Sequence, residues 1–530
     1  MKEPEDTAAA AATGCGAPSS GSHDNQSRMS LGRLSRSTFV YGVGGALAQA
    51  ITVALLPIYT RYLTPTEYGV TGLLAMLSFF VEPIFSFGFG TSITICYFER
   101  RDRGWRASTI WTAVTTLAIS GVILCLAGWG LRHSISLTLL ETADFGGEVA
   151  VCLFATCFLL IAMPPALYLQ FEDRAERYVM IKGLIAIVSV VASVILIVVL
   201  RRGVMGWVEA MLVSQVFGCF LFLANGPRTT VRPRLAIAKN LLRFGLPMVP
   251  AFLSLFVLLQ ANRYFLERFE GLAAVGVYTV GFTLGSALAV AVGAFQKAWP
   301  AFFMRYKERP GEAHKLFGRV LTYYVIAFGT LNLLFFIAAK PVVMMLATAE
   351  FHDAYRVVGL AAMAYFMLGA YVIFLPAVYF AKQVGVSSLV QAVAAVVAIG
   401  LNFLIIPPHG VFGAGVTLAL GLTVMVGLQY GWNYLKRRRY LVVEYEWKRL
   451  GIFAVLYLVV SFITLHDRQL SILIEMGAAL TLTALVIGAG LSILNRSERA
   501  TLSILASSFL AQMRQLATRN ARDGSSRPGD

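Results

Sequence analysis

The chain has 530 residues, of which 58% are hydrophobic and only 14% are charged, and its formal net charge is +16. Soluble domains carry roughly 25% charged residues, so this composition excludes a water-soluble protein and predicts a polytopic, all-α membrane protein. No basic helix face or RNA-binding motif accompanies the Lys and Arg residues, which argues against nucleic acid as a partner. The six cysteines form no CxxC pair and no metal-ligand pattern.

The first 30 residues are rich in Ala, Ser and Gly and lack hydrophobic periodicity, which predicts a disordered tail. About fourteen apolar runs follow, each close to the roughly 20 residues that a transmembrane helix needs. They are residues 38–60, 68–95, 107–131, 148–170, 178–200, 204–224, 245–266, 274–300, 318–346, 357–381, 384–406, 411–435, 450–466 and 471–494. The thirteenth run is short, so twelve spans remain an alternative.

The distribution of Lys and Arg predicts the orientation of these helices. If the N-terminus is cytoplasmic, 34 of the 44 basic residues lie on that side, 9 lie on the opposite side and Lys297 lies within a span. Cytoplasmic loops are enriched in Lys and Arg, so both termini are predicted to be cytoplasmic. The pair Arg201–Arg202 fits this orientation poorly.

A weak internal repeat divides the chain into two halves. Arg61, Gly69 and a basic cluster at Arg100 recur as Arg263, Gly276 and a cluster at Arg305. An even number of helices per half gives the two copies the same orientation, with a substrate path expected between them. The predicted organisation is a tail at 1–30, six-helix bundles at 31–226 and 227–440, two extra helices at 441–495 and a basic cytoplasmic tail at 496–530.

Three segments resemble sequences of oligosaccharide flippases and polysaccharide transporters. They are Leu56–Gly69; Leu242–Pro250 with Asn262–Leu266 and Val275–Tyr278; and Asn402–Pro407 with Gly410–Gly415. This family belongs to the multidrug/oligosaccharidyl-lipid/polysaccharide exporter superfamily. The chain departs from the family at Asn262, where an Asp is common, which removes one candidate carboxylate.

The resemblance implies two pseudo-symmetric six-helix bundles around a central cavity, followed by two C-terminal helices. It further implies a non-enzymatic transporter without cofactors in the cytoplasmic membrane of a bacterium. The implied substrate is an undecaprenyl-diphosphate-linked oligosaccharide, flipped by alternating access for O-antigen, capsule or exopolysaccharide synthesis. The implied partners are this lipid-linked substrate, membrane lipids, H⁺ or Na⁺, and polysaccharide polymerase and chain-length proteins.

Charged side chains inside a membrane cost about 2.5–3.5 kcal/mol on insertion scales, so each one needs a reason. We predict that an anionic substrate is bound by Arg61, Arg263, Lys297, Asn262 and Gln296. Glu82 lies beside Pro83 within the second span and is the candidate for ion coupling. The structural alternatives are an ion-pair role for Glu82, interfacial anchoring by the two arginines, and a lysine whose amine reaches the membrane surface.

Other functions remain open at this stage. A drug or organic-cation exporter of the same superfamily would be expected to line its cavity with carboxylates, which are few here. A polysaccharide polymerase or ligase would be expected to have a large external catalytic loop, and a membrane scaffold would need no intramembrane charges. The sequence has no phosphate-binding Gly-rich loop, metal-ligand cluster or nucleophile elbow.

Overall fold

A computed structural model describes residues 49–228, 232–307, 310–383, 385–436 and 441–465, together with positions 46, 481 and 488. Within these residues the fold is helical and contains no strand, which confirms the predicted all-α class. Ten helices are long and apolar enough to cross a membrane, and a bent pair would make eleven.

The first half of the described chain contains seven helices. They are α1 (residues 49–62), α2 (Pro65–Phe85), α3 (Phe89–Glu99), α4 (Arg103–Leu140), α5 (Gly146–Phe171), α6 (Ala175–Ser193, continued by a π-helical turn at Val194–Val199) and α7 (Gly203–Ala224). Local signals in the sequence start two of them. The Thr64 side chain and Glu67 form a capping box before α2, and the Asp102 side chain accepts a hydrogen bond from the backbone N–H of Trp105 in α4.

The second half contains nine helices. They are α8 (Leu235–Gly245), α9 (Val249–Glu270), α10 (Leu272–Gly285), α11 (Leu288–Phe303), α12 (Pro310–Leu346), α13 (Tyr355–Ile373), α14 (Leu375–Phe380), α15 (Gly385–Leu435) and α16 (Trp447–Leu465). The first predicted span is described only from residue 49. The predicted span 471–494 lies outside the described residues except for positions 481 and 488, so a total of fourteen stays a prediction.

Helix α15 joins two of the predicted spans, 384–406 and 411–435. Gly410, at φ 51° and ψ −129°, interrupts it two residues after Pro408. This backbone conformation is open to glycine and is strained for other residues. A Cβ on Gly421 would lie 3.1 Å from the Cβ of Ala398, so the two arms of α15 run back beside each other. The two predicted spans therefore correspond to its two arms.

Successive helices connect at alternate ends of the molecule. We call one end the Thr64 face, where α1 meets α2, α4 meets α5, and α9 meets α10. We call the other end the Asp102 face, where α3 meets α4, α5 meets α6, and α7 leads to α8. Helices α2, α4, α5, α6 and α7 pack together, and α9, α10, α12, α13, α15 and α16 form a second group.

The two groups meet along α2 and α10, at the glycines that the repeat aligns. A Cβ on Gly69 would overlap the carbonyl oxygen of Leu272, and a Cβ on Gly276 would overlap the carbonyl oxygen of Pro65. Each glycine thus faces the residue four positions before the other. Such reciprocity is what a two-fold relation between α2 and α10 produces.

Two helices pack away from their neighbours in sequence. Helix α8 follows the predicted boundary at residue 227, yet it packs on α3 and α4 through the buried side chains of Ile237 and Leu241. Helix α1 contacts the second group, because the Gln49 side chain donates to the carbonyl oxygen of Thr283. Helix α1 of the first half thus packs on the second half, and α8 of the second half packs on the first.

Beyond the contact of α2 with α10, equivalent helices of the two halves pack against different neighbours. The chain breaks after α2 and again after α10, and α11 is bent by 50° from α10. Helix α3 then packs on α4 and α8, whereas α11 packs on α12 and α13. The halves therefore approach each other through α2 and α10 on the Thr64 side, whereas α3 and α11 have different neighbours toward the Asp102 face.

Candidate functional site

Arg263 is a buried cation that packs against aromatic rings of α10. It lies on α9 with 5% of its surface exposed, and its Nη1 donates a hydrogen bond to Oε1 of Gln260. Its guanidinium carbon is 4.6 Å from the ring centroid of Phe282 and 5.9 Å from that of Tyr278. Nε has no hydrogen-bond partner, and no carboxylate of the described residues forms an ion pair with this arginine.

The guanidinium stays protonated in this environment, and no described carboxylate neutralises its charge. Arginine cannot shed its proton under ordinary conditions, and burial of an unpaired charge is costly. Aromatic rings offset part of that cost through their negative faces. An anion brought to this place would gain a strong, partly desolvated partner.

Asn262 is a structural bridge beside Arg263. Its Nδ2 donates to the hydroxyl of Tyr278 and, at 3.1 Å, to the carbonyl oxygen of Ala414, so it ties α9 to α10 and α15. Both partners accept hydrogen from the amide. A carboxylate in this position would face the Ala414 carbonyl with no proton to donate, which gives a physical reason for an amide at this position.

Glu267 is a buried carboxylate that the sequence analysis missed. It lies four residues after Arg263 on α9, is 3% exposed, and its Oε2 has no hydrogen-bond partner among the described residues. The predicted span ended at residue 266, which placed Glu267 in a loop, whereas α9 continues to Glu270. Its spacing from Arg263 was the signal available, because residues four apart share one helix face.

The structure does not present the other predicted substrate residues as one cluster with Arg263. Arg61 is exposed at the end of α1, so the two arginines that the repeat pairs have different environments. Lys297 is exposed on α11. Gln296 is engaged in holding α11 against α13, because its Nε2 donates to the carbonyl oxygen of Leu368 at 3.3 Å.

Glu82 lines a cavity of about 170 Å³ inside the first half, between α2, α5, α6 and α7. Lys182, Gln170 and Gln215 line the same cavity. Glu82 forms no ion pair with a described residue. The arrangement expected for a structural role, in which a Lys or Arg neutralises Glu82, is therefore absent among these residues. Lys182 lies on α6, within the predicted span 178–200.

Two comparisons with known proteins bear on this architecture. The model of a family described as polysaccharide biosynthesis protein matches residues 34–305. Comparison with curated protein sequences gives no match.

Solved structures of transporters share the fold. A structure of the lipid II flippase MurJ in an inward closed conformation superposes with a TM-score of 0.65 at 9% identity, covering 85% of this chain and 97% of that one. An inward-facing multidrug resistance MATE family transporter of the MOP superfamily gives 0.60 at 16% identity, covering 73% and 94%. A MOP superfamily transporter from Pyrococcus furiosus gives 0.50 at 16% identity, covering 76% and 95%. At these identities the likeness establishes the fold.

Proposed function

The chain belongs to the polysaccharide biosynthesis protein family, within the MOP superfamily of membrane transporters, and on that premise we propose that it flips a lipid-linked oligosaccharide across a membrane. The substrate class is an undecaprenyl-diphosphate-linked repeat unit for surface polysaccharide synthesis in a bacterial cytoplasmic membrane. The Asp102 face, with its basic loops, and both termini would then be cytoplasmic.

The observation that carries this proposal is the unpaired guanidinium of Arg263. A diphosphate is the anion that such a group binds best, because the planar fork of donors matches phosphate oxygens. The residue lies beside the contact of α2 with α10, where the two halves meet. Rocking of the halves about this contact would change access to Arg263, which is what alternating access requires.

Lys297 and Arg61 complete the proposed path for the headgroup. Lys297 is exposed on α11, which diverges from the first half toward the Asp102 face, and Arg61 is exposed at the Thr64 face. A headgroup entering from the Asp102 face would meet Lys297 first, then Arg263, and would leave beside Arg61. Asn262 and Gln296 hold α9 and α11 in place and act on the substrate through that positioning.

Glu82 is our proposed coupling residue. A carboxylate without an ion-pair partner among the described residues, facing a small cavity that Lys182, Gln170 and Gln215 also line, is a natural site for H⁺ or Na⁺. Occupation of the cavity would change its charge and thereby the packing of α2 against α5, α6 and α7. Because α2 also contacts α10, this change would reach the contact between the halves.

The test is a flipping assay with the purified full-length chain in lipid vesicles. The probe is a fluorescent undecaprenyl-diphosphate-linked sugar, and membrane-impermeant quencher reports the leaflet that it occupies. We expect the wild-type chain to equilibrate the probe between the leaflets. Arg263→Gln should lower the flipping rate by at least about 100-fold, because it removes the charge-assisted contact with the diphosphate. Arg132→Gln, near the Thr64 face on α4, is the control with the same charge change. Wild-type flipping by Arg263→Gln would remove this residue from the substrate path.

A multidrug or organic-cation exporter is the second candidate, because Glu267 is a buried carboxylate and Glu82 is a half-buried carboxylate that faces a cavity. The same vesicles distinguish it. A cation exporter would move a fluorescent organic cation and leave the diphosphate probe in its leaflet, and its transport would depend on Glu267 rather than on Arg263.

A further inference from the structure

A second basic site lies at the Asp102 face of the first half, away from Arg263. It is a cavity of about 760 Å³, within the range of pockets that hold small ligands. The starts of α4 and α6 and the end of α7 surround it. Its charged lining residues are Arg103, Arg106, Arg174, Arg177, Arg228 and Glu172.

The walls of this basic pocket are fixed by the fold. The indole Nε1 of Trp111 donates to the carbonyl oxygen of Pro227 at 3.2 Å, which holds the segment after α7 across α4. Helix α6 starts at the pocket, and no side chain caps its first N–H groups. Those groups are donors that favour an anion. The pocket therefore combines arginine side chains with an uncapped start of a 19-residue helix.

The single carboxylate of the lining has partners of its own. The Tyr97 hydroxyl donates to Oε1 of Glu172 at 2.6 Å, and Nη1 of Arg106 lies 4.0 Å from the same oxygen. The remaining four arginines form no ion pair with any residue that the structure describes. Four positive charges thus face one cavity without neutralisation, and their repulsion would be relieved by a polyanion.

The aromatic side chains of the pocket are those expected at the level of a membrane surface. Tyr97 and Tyr168 line the pocket, and the guanidinium of Arg174 lies 5.9 Å from the ring centroid of Tyr168. Tyr and Trp are enriched at the depth of lipid headgroups. Basic pockets between transmembrane helices at that depth suit phosphate-bearing headgroups.

We propose that this pocket binds the phosphate or diphosphate headgroup of an anionic membrane lipid, separately from the path through Arg263. Two sources have this chemistry: a bulk phospholipid such as phosphatidylglycerol and a polyprenyl diphosphate. The inference depends on the membrane-spanning fold and not on the proposed substrate. Loss of flipping in Arg263→Gln with intact pocket binding would separate the two proposals.

The experiment measures lipid binding to the full-length chain in zwitterionic detergent micelles by native mass spectrometry. Phosphatidylglycerol and undecaprenyl diphosphate are titrated in separate arms. We expect at least one lipid to bind, and Arg174→Gln/Arg177→Gln to weaken it by about tenfold or more. The matched control is Arg132→Gln/Arg201→Gln at the Thr64 face, which removes the same charge and should change the dissociation constant by less than about twofold.

Further arms keep the inference falsifiable. Glu172→Gln removes the only carboxylate of the lining and should tighten binding, and inorganic pyrophosphate should displace the bound lipid. The lipid that binds more tightly identifies the source. Binding of neither lipid, or an equal loss in the pocket and control variants, would overturn the proposal.

Discussion

At the scale of single residues, the most informative feature is a charge that the chain buries and does not neutralise. Arg263 has Gln260 and aromatic rings for neighbours, whereas a structural arginine in a membrane is ordinarily paired. The folded chain therefore carries the free-energy cost of an unpaired buried charge at this position. A residue retained at such a cost is best explained by a ligand that supplies the missing negative charge.

Arg263→Lys separates charge from geometry. The lysine keeps a positive charge but loses the planar fork and the contact with the Phe282 ring. We expect flipping to persist at saturating substrate, with the substrate concentration for half-maximal rate raised by about tenfold. The concentration dependence of initial flipping rates measures this. Equal behaviour of the Lys and Gln variants would show that charge alone does not explain the site.

Glu82→Gln tests ion coupling. The amide keeps the shape of the side chain but cannot change charge, so an imposed H⁺ or Na⁺ gradient should no longer accelerate flipping, while slow equilibration without a gradient remains. Rates with and without each gradient give the answer. Glu350→Gln, an exposed carboxylate near the Thr64 face, should respond to gradients like the wild type. Gradient dependence retained in Glu82→Gln would exclude the residue as the coupling site.

At the scale of helices, the contact of α2 with α10 determines how the halves are joined. Gly69 and Gly276 allow their backbones to approach until each glycine faces a carbonyl oxygen of the other helix. Small residues permit such close approach in membrane proteins. The same sequence element serves both helices because the repeat places a glycine at the same point of each.

Gly276→Ala should force α10 away from α2. Within a free helix this change would favour folding by up to about 1 kcal/mol, but here the added methyl group meets backbone that cannot move aside, at a cost of about 1–3 kcal/mol. We expect a lower midpoint of thermal unfolding in detergent. Gly293→Ala on α11 is the matched control, because its Cβ would meet nothing within 4 Å. It should leave the midpoint unchanged or raise it, and a fall equal to that of Gly276→Ala would contradict the packing argument.

At the scale of the whole molecule, two polar contacts join the halves on the Thr64 side. Glu141 at the end of α4 forms an ion pair with Arg268 near the end of α9, and the Thr348 hydroxyl donates to the carbonyl oxygen of Thr60 at 2.9 Å. Both members of the ion pair are about half exposed, so its contribution to stability is small. A transporter that opens at this face would have to break these contacts in every cycle.

Reversal of this ion pair should alter the cycle more than the stability. Glu141→Arg alone or Arg268→Glu alone places like charges together and should change the flipping rate by about two- to fivefold, with little change in thermal unfolding. The double variant restores attraction and should return the rate toward that of the wild type. Rates in low salt and in high salt provide a second check, because exposed pairs are screened. Absence of rescue in the double variant would show that the pair does not act between the halves.

The sequence by itself determined the features that depend on composition and local pattern. Apolar runs of membrane length predicted helices at nearly every described position, since a lipid environment leaves the backbone few alternatives. The repeat by itself identifies Gly69 and Gly276 as equivalent positions. Arg263 was also identified from sequence, because a charge within an apolar run stands out without any knowledge of its neighbours.

Only the tertiary structure decided which polar groups share a space. It placed Glu82 and Lys182 at one cavity, buried Arg263 while leaving Arg61 exposed, and brought arginines from the starts of α4 and α6 and from the segment after α7 into the basic pocket. No local sequence pattern predicts which of these residues come together, because that depends on how distant helices cross and where each one ends. Glu267 shows the difference most directly. Its burial follows from one further turn of α9, which packing stabilises and hydropathy alone did not predict.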